Sequence, residues 1–303
     1  MLNDRIRSLP SSSEWTGPAP EQQLYVPLTP QEDKEHTNVH YEQPPEFFNT
    51  ITGGEWNVYS CNLWDGATND TESQEAKLDL FAQLMELQAG QRILDVGCGW
   101  AGPLVYLCKT YGTQGVGLTL SPTQKAFADQ RIARYGVDVQ VHECHWQDFE
   151  DDRGFDAIFT DEVIVHFSDL GGFFAKAHAL LRPGGRFLNK ELHFRSSRYK
   201  QITRADVFVN EIYGLTGNYR TLADELQLLD ANGFALDVVH QIPMPHYQRT
   251  LDRWLANMYE HRERLQELVG EEHYRHFRTY LRIAHRIMNG RTMTLDVVKS
   301  SKL

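Results

Sequence analysis

The stretch "ILDVGCGWAG", Ile93 to Gly102, decides the fold of this chain. Its apolar start predicts a buried strand, and the G-x-G-x-x-G pattern that begins at Gly97 predicts a tight turn from that strand into a helix. Backbone N–H groups at such glycines can approach a ligand closely, because no Cβ stands in the way. The stretch therefore predicts a loop that cradles a nucleoside-type ligand, and leaves open which one.

Strand and helix patterns alternate on both sides of this loop. Strands are predicted within 113–120, 137–144, 155–163, 185–192, 235–242 and 291–300, and helices over 71–87, 121–135, 169–181 and 221–234. Such alternation predicts an α/β fold with a parallel, doubly wound sheet. We expect its ligand in the crevice at the carboxyl ends of the strands.

The chain of 303 residues, 41% of them hydrophobic, can bury the core of one large domain. Residues 1–35 are rich in Ser, Pro and Glu and are predicted to form a loose arm. Residues 36–303 are predicted to form the single domain. Within it, aromatic and turn residues over 36–75 indicate a cap, and residues 195–230 indicate a helical lid.

Charge and composition exclude several classes of partner. The net charge of −11 argues against nucleic acid, because a phosphate backbone requires a basic face. No apolar run approaches the roughly 20 residues of a membrane span, so we expect no stable membrane insertion and a cytoplasmic location. The four cysteines show no C-x-x-C spacing and predict neither a metal site nor a disulfide framework. A homo-oligomer is left open.

The second predicted strand separates two possible cofactors. A dinucleotide fold places an acidic residue about 20 positions after the glycine loop, where it binds the ribose. Here the strand ends in "GVGLTLSPTQ", with Thr119 and Leu120 where that acid would stand. Asp95, two residues before Gly97, is well placed for the ammonium group of an amino-acid tail. Both features favour S-adenosylmethionine over NAD.

Seven ordered matches then extend beyond the glycine loop. They are His40-Tyr41 with Phe47-Phe48, Tyr59-Ser60-Cys61, "EAKLDL" at 75–80, "ILDVGCGWAG", "GVGLTLSPTQ", "RPGGRF" at 182–187 and "HYQRTLDRWLANM" from His246. In these matches the chain resembles the cyclopropane-fatty-acid and mycolic-acid cyclopropane synthase family of S-adenosylmethionine-dependent methyltransferases. The resemblance runs from about residue 36 to the last residue given, and implies a Rossmann-like class I methyltransferase sheet.

The resemblance also implies how this chain would contact the cofactor. Tyr59 and Ser60 would cover it, and Gly97 and Gly99 would approach its methionine part. The residues implied for the ribose and the adenine are Thr119, Leu120 and Gln124, and Trp146 and Gln147, respectively.

Members of this family resemble one another in a bicarbonate site that takes up the proton lost from the methylated substrate. Cys61 and Tyr247 match two of its residues, and both are predicted catalytic residues. The glutamate of the family pattern is replaced by Val165 and its histidine by Lys190. These departures argue against a bicarbonate site and against cyclopropanation.

Other residues provide a different route for the proton. Glu162, at the end of the fourth predicted strand, stands where the more distantly similar prenyl-diphosphate C-methyltransferases carry a glutamate base, and we predict this role for it. His166 and Tyr247 are the alternative proton acceptors. Aromatic rings at Tyr41, Phe48 and Tyr247 could shelter a carbocation by cation–π contact.

A local excess of positive charge suggests an anionic substrate. From Arg186 to Arg204 the chain has six basic residues and one acidic residue. Phosphate groups favour such donors, so Lys190, Arg195 and Arg198 are predicted substrate-binding residues. The main prediction is S-adenosylmethionine-dependent C-methylation of a small anionic alkene, most concretely an isoprenoid diphosphate, which Mg²⁺ could accompany.

Three alternatives remain at this point: a lipid cyclopropane synthase, a small-amine N-methyltransferase and a cofactor-binding protein without catalysis. The missing glutamate and histidine count against the first. Lys190 counts against the second, and the complete set of cofactor residues counts against the third.

Overall fold

The computed structural model describes residues 28–199, 217–288 and 290–303. The helices of this part are α1 (Pro30–Tyr41), α2 (Pro45–Thr52), α3 (Asp70–Met85), α4 (Gly102–Tyr111), α5 (Pro122–Tyr135), α6 (Leu170–Leu180), α7 (Leu222–Ala231), α8 (Met244–Glu260) and α9 (Arg262–Ile287). The strands are β1 (Arg92–Val96), β2 (Gln114–Thr119), β3 (Val139–Glu143), β4 (Phe155–Asp161), β5 (Leu181–Phe194), β6 (Phe234–Ile242) and β7 (Met293–Lys302). Within the described ranges, no helix is both long enough and apolar enough to cross a membrane.

The strands form one seven-stranded sheet in the order β3-β2-β1-β4-β5-β7-β6. The pairs among β1 to β5 are parallel, so the predicted doubly wound α/β class is confirmed. The last strand, β7, for which the sequence pattern gave no direction, runs antiparallel to both β5 and β6. Met293, where β7 begins, pairs with Phe194, where β5 ends. The last strand thus enters the sheet at the carboxyl ends of its neighbours and runs back.

Two apolar layers cover the faces of the sheet. One is aromatic-rich and includes Phe48 of α2, Phe81 of α3 and Phe277 of α9, all fully buried. The other packs α6 and α7 against the opposite face and includes Phe174 and Leu229. Helices therefore flank the sheet on both sides, and the carboxyl ends of the parallel strands are left for a ligand.

The third glycine of the loop fixes how the N-terminal segment meets the sheet. A Cβ on Gly102 would lie 1.7 Å from the carbonyl oxygen of Trp56, so only glycine lets α4 begin at this place. Arg131 of α5 donates hydrogen bonds to the carbonyl oxygens of Trp56 and Trp100. The segment after α2 is thereby held over the glycine loop.

Two predicted segments differ from what the structure describes. Of the predicted arm, 1–35, residues 1–27 lie outside the described part, and the residues from Pro30 onward are helical. Thr29 and Glu32 form a reciprocal capping box that starts this helix. Of the predicted lid, 195–230, residues 200–216 lie outside the described part, and residues 222–230 belong to α7, which packs against α6 and β6 as part of the flanking layer.

Candidate active site

A cavity lies at the carboxyl ends of β1, β2 and β4, where the parallel fold predicts it. Helix α1 and residues 57–60 form its opposite wall. Of the residues predicted to bind the cofactor, nine line it: Tyr59, Ser60, Asp95, Gly97, Gly99, Thr119, Leu120, Gln124 and Trp146. Gln147 does not line it. Its side chain is exposed, and its backbone N–H donates to Nδ1 of His145. His145 lines the cavity instead of Gln147.

The first two glycines of the loop have different roles, one at strand β2 and one at the cavity. The N–H groups of Gly97 and Cys98 both donate to the carbonyl oxygen of Leu118, which fastens the loop to β2. Gly99 has a φ of +52°, and the nearest atom to a Cβ built there is Nε2 of Gln124, at 4.0 Å. A ligand can therefore approach the backbone at Gly99, while Gly97 is needed for the turn itself.

Asp95 fits the amino-acid end of S-adenosylmethionine. Its side chain lines the cavity but is only 3% exposed. Burial, followed by the nearby Asp161, raises the pKa of Asp95 well above its ordinary value. A buried carboxyl group whose charged form is disfavoured gains from an adjacent ammonium group. Asp95 is therefore a residue that could hold the α-amino group of this cofactor.

Helix α1 supplies cavity residues that the sequence pattern did not reveal. Asp33 and Thr37 line the cavity, and Oδ2 of Asp33 lies 3.1 Å from Nε2 of His145. Asp33 lies in the segment predicted as an arm, 1–35, and Thr37 lies in the segment predicted as a cap, 36–75. The capping box at Thr29 was the available signal, because it marks a helix start six residues before the predicted boundary.

A second group of residues surrounds the carboxylate of Glu162 at the end of β4. Oε1 accepts hydrogen bonds from the backbone N–H of Cys61, at 2.9 Å, and from Nζ of Lys190, at 2.5 Å. Oε2 accepts from the hydroxyl group of Tyr247, also at 2.5 Å. Glu162 itself lines the cavity, so its carboxylate lies between these donors and the ligand space.

Lys190 belongs to a buried ionic cluster. Its ammonium is fully buried and contacts Oδ1 of Asp161 at 2.7 Å besides Glu162. Asp161 also accepts from Lys77 at 2.5 Å and from the hydroxyl group of Ser60 at 2.7 Å. Against the effect of burial, the two lysines lower the pKa of Asp161 to about 2, and Asp161 and Glu162 raise that of Lys190.

This cluster contradicts the predicted substrate-binding role of Lys190. Lys190 does not line the cavity, and its charge is already neutralised by Asp161 and Glu162, so it is not available to a substrate anion. It does not pair with Glu191 either. Glu191 accepts from the backbone N–H groups of Val165 and Leu192, and burial, followed by Glu162, raises its pKa to about 8.

The other predicted basic residues also lie away from the cavity. Arg195 is exposed and donates to the carbonyl oxygen of Gly290, and Arg198 is exposed on the short turn Ser197–Tyr199. Among the described residues, neither lysine nor arginine lines the cavity. The sequence placed these charges near one another but could not show which way the chain turns after β5.

The remaining predicted catalytic residues take different positions. Tyr41 and His166 line the cavity, with ring centroids 6.3 Å apart in a perpendicular arrangement. Tyr247 and Cys61 lie behind Glu162. Burial raises the pKa of the Cys61 thiol to about 12, and that thiol donates to the carbonyl oxygen of Asn62. Cys61 therefore acts on this site through its backbone N–H. Burial also lowers the pKa of His166, which favours its neutral form.

The chain is similar to known proteins over most of its length. The family model described as mycolic acid cyclopropane synthetase matches residues 29–298. The S-adenosylmethionine-dependent methyltransferase UmaA of Mycobacterium tuberculosis is 28% identical over 264 residues, which cover 82% of this chain and 90% of that protein. Cyclopropane mycolic acid synthase 1 of the same organism is 29% identical over 276 residues, 83% and 92% of the two chains.

Solved structures show the same fold. The cyclopropane synthase MmaA2 of Mycobacterium tuberculosis matches with a TM-score of 0.82 and 26% identity over 89% of this chain and 98% of that one. The mycolic acid cyclopropane synthase CmaA1, in complex with SAH and CTAB, matches with a TM-score of 0.81, 26% identity and the same coverage. The sheet, the glycine loop and these relatives agree on an S-adenosylmethionine-dependent methyltransferase of class I fold, and the chain belongs to the mycolic acid cyclopropane synthetase family.

Proposed function

We propose that this protein uses S-adenosylmethionine to build a cyclopropane ring on a carbon–carbon double bond of an unsaturated acyl chain. The names of its relatives support a lipid substrate, since they include cyclopropane mycolic acid synthases and a cyclopropane-fatty-acyl-phospholipid synthase. The proposal replaces the isoprenoid diphosphate expected from the sequence. The alternative among those first weighed, a lipid cyclopropane synthase, is now the better supported one.

The charge of the cavity wall carries this proposal. Asp33, Asp95, Asp161 and Glu162 line the cavity, whereas none of its described lining residues is lysine or arginine. A diphosphate bound there would lie near the carboxyl groups of Asp33 and Asp95 and would meet no lysine or arginine of the described lining, which is unfavourable. An acyl chain carries no charge at its double bond, and the reaction on it develops positive charge, which carboxylates and aromatic faces stabilise.

The same proposal includes a role for several residues that were predicted to contact the cofactor. We propose that Asp95 binds the ammonium group of S-adenosylmethionine, that Gly99 admits its methionine part, and that Thr119 and Gln124 meet the ribose. Trp146 would offer its indole face to the adenine, with His145 beside it. Bound S-adenosylmethionine supplies the carbon atom as an activated methyl group.

The chain's own residues then guide the reaction on the alkene. One alkene carbon bonds to the methyl carbon as the sulfur–methyl bond breaks, which leaves a cation on the other carbon. Tyr41 lies beside the cavity, where its ring can stabilise that charge. Glu162 accepts a proton from the added methyl group, and the electrons of that C–H bond close the ring. Tyr247 and Lys190 hold the carboxylate in place.

Product analysis with trideuteromethyl S-adenosylmethionine tests the proposal. Purified protein is incubated with a monounsaturated phospholipid and, separately, with isopentenyl or geranyl diphosphate. The proposal predicts a ring-containing acyl product that retains two of the three deuterons, because one leaves as the proton. An acyl product with all three deuterons would mean methylation without ring closure. Methylation of the diphosphates but not of the lipid would overturn the lipid substrate.

A small-amine N-methyltransferase is the second candidate, and one observation favours it. The acidic wall of the cavity would also suit a cationic amine, and the charge of Lys190, which counted against this reading, is neutralised within the buried cluster. Including a benzylic secondary amine in the same assay separates the two. A methylated amine product, with no acyl product, would favour this candidate.

A further inference from the structure

Three hydrogen-bond donors converge on the carboxylate of Glu162 in a place that water hardly reaches. We call this set the carboxylate cradle: the backbone N–H of Cys61, the ammonium of Lys190 and the hydroxyl of Tyr247. The side chain of Lys190 is fully buried, and that of Glu162 is 10% exposed. Donors desolvated to this degree are costly to leave unpaired, so the cradle requires an acceptor.

The backbone at Glu162 shows that the acceptor is held at some cost. Its φ is +58°, in the left-handed region that glycine adopts readily and glutamate does not. The N–H of Glu162 donates to the carbonyl oxygen of Lys190 at 2.7 Å, which fixes this turn directly after β4. Such conformations persist when the surrounding contacts over-determine them. Here those contacts are this backbone hydrogen bond and the three hydrogen bonds to the side-chain carboxylate.

The charge balance of the buried cluster also indicates that the cradle requires a negatively charged acceptor. The buried cluster contains two lysines, Lys77 and Lys190, and two carboxylates, Asp161 and Glu162. It is neutral only while both carboxylates are ionised. Glu191, the other acid close to Glu162, has a pKa raised to about 8 by burial and so adds little negative charge at neutral pH. Without the Glu162 side chain, the cluster keeps one positive charge in excess.

A carboxylate offers about four lone-pair positions, and the cradle uses three of them. The hydrogen bonds of the described residues leave the fourth position open, and Glu162 is part of the cavity lining. The arrangement thus holds a carboxylate from behind and leaves one position free to accept a proton.

We propose that the cradle is an anion-binding site which the chain fills with its own Glu162, that Lys190 is the positioning residue of this base, and that a small free carboxylate can enter the site when the side chain is removed. The inference rests on the proposed function for the proton transfer, but not for anion binding. The free carboxylate, formate for example, would accept the proton and leave as formic acid.

Glu162→Gly is the test variant, because glycine suits the local φ and opens the cradle. Without added anion, product formation is expected to fall by roughly 10²-fold or more, the usual effect of losing a general base. Sodium formate should raise product formation by this variant about tenfold above its level without added anion. Sodium chloride is the ionic-strength control. Glu162→Gln is the matched variant. It also lacks the base, but its amide fills the cradle, so formate should not restore activity.

Anion binding is measured apart from catalysis. Formate should raise the thermal unfolding midpoint of Glu162→Gly, but not that of the wild type or of Glu162→Gln. Adding Lys190→Met to Glu162→Gly should abolish both this rise and the rescue. On the wild-type background, Lys190→Met should move the acidic limb of the pH–activity profile to higher pH, because the ammonium that favours the ionised carboxylate is gone. A merely structural lysine would leave that limb in place.

Each outcome decides something. Formate binding to Glu162→Gly without any return of product supports the anion site and contradicts Glu162 as the base of the proposed reaction. A Glu162→Gly protein that still binds S-adenosylhomocysteine, yet shows neither a formate-dependent midpoint nor rescue, overturns the inference. If Glu162→Gly does not bind S-adenosylhomocysteine, the pH–activity profile of Lys190→Met replaces it as the test. An acidic limb at the same pH as in the wild type then overturns the inference.

Discussion

At the residue scale, the proposed chemistry depends most directly on the side chain of Glu162. Its carboxylate borders the cavity and is held by Tyr247 and Lys190. Glu162→Gln preserves size but removes the proton acceptor, so product formation should fall by roughly 10²–10⁴-fold. Calorimetry should find the affinity for S-adenosylhomocysteine close to that of the wild type. Unchanged turnover in this variant would show that Glu162 is not the proton acceptor, and His166 or Tyr247 would then be the candidate.

Gly102 gives a prediction about stability. Gly102→Ala would place a methyl group 1.7 Å from the carbonyl oxygen of Trp56, so the segment before the site must move. We expect a loss of about 1–3 kcal/mol in the free energy of unfolding, the usual range for overpacking. Gly171→Ala is the control, because its Cβ would meet only a side-chain carbon of Leu228, at 3.7 Å. Urea titration that shows equal stability for the two variants would contradict this explanation.

The residue types at the site could be predicted from the sequence, but their partners could not. Strand-end positions mark Glu162 and Lys190 as residues of one crevice, and the resemblance implies Tyr59, Gly99 and Trp146. That Lys190 faces Asp161 and Lys77 depends on distances between β5, β4 and α3. No periodicity encodes such distances. The predicted contact between Lys190 and a phosphate does not fit the structure, because Asp161 and Glu162 neutralise the charge of Lys190.

At the scale of elements, a buried histidine joins two strands and a helix. Nε2 of His193, on β5, lies 2.5 Å from Oε2 of Glu225 on α7, and Nδ1 lies 3.1 Å from Oδ2 of Asp296 on β7. Although burial opposes it, Asp296 and Glu225 raise the pKa of His193 to about 10. The charged imidazolium therefore ties together the part of the sheet where strand direction changes.

This pKa sets a pH window for stability. A histidine whose folded pKa exceeds its unfolded value of 6.5 contributes its full stabilisation below pH 6.5 and loses it as pH rises to about 10. The difference in unfolding free energy between the wild type and His193→Gln should therefore shrink across this window. Denaturant titrations at several pH values measure it. A difference that grows with pH would show that His193 is neutral in the folded protein.

The order and kind of the elements were readable from the sequence, whereas strand direction was not. Runs rich in apolar residues and bounded by turn residues predicted all seven strands. Burial on both faces leaves that pattern in the central strands β1 and β4. An antiparallel strand buried on both faces leaves the same pattern, so the reversal of β7 had no local signal. The start of α1 did have one, the capping box at Thr29.

At the scale of the whole molecule, the cofactor site joins parts of the chain that are far apart in sequence. Helix α1 and residues 57–60 form one wall, and the ends of β1, β2 and β4 form the other. Saturating S-adenosylhomocysteine at 100 times its Kd should stabilise the fold by about 2.7 kcal/mol. Amide exchange should slow in α1 as well as in the glycine loop. Protection confined to the glycine loop would show that α1 does not close on the ligand.

The position of β7 between β5 and β6 also governs when the sheet can be completed during synthesis. More than a hundred residues separate the end of β5, at Phe194, from the last paired residue of β7, Lys302. At roughly 5–20 residues per second, the ribosome needs about 5–20 s for this distance. During that time the edge of β5 has no neighbour, and β6 has nothing to pair with. The nascent chain must therefore keep two open strand edges apart from other chains until its last strand emerges, and chaperone binding in that interval is the natural protection.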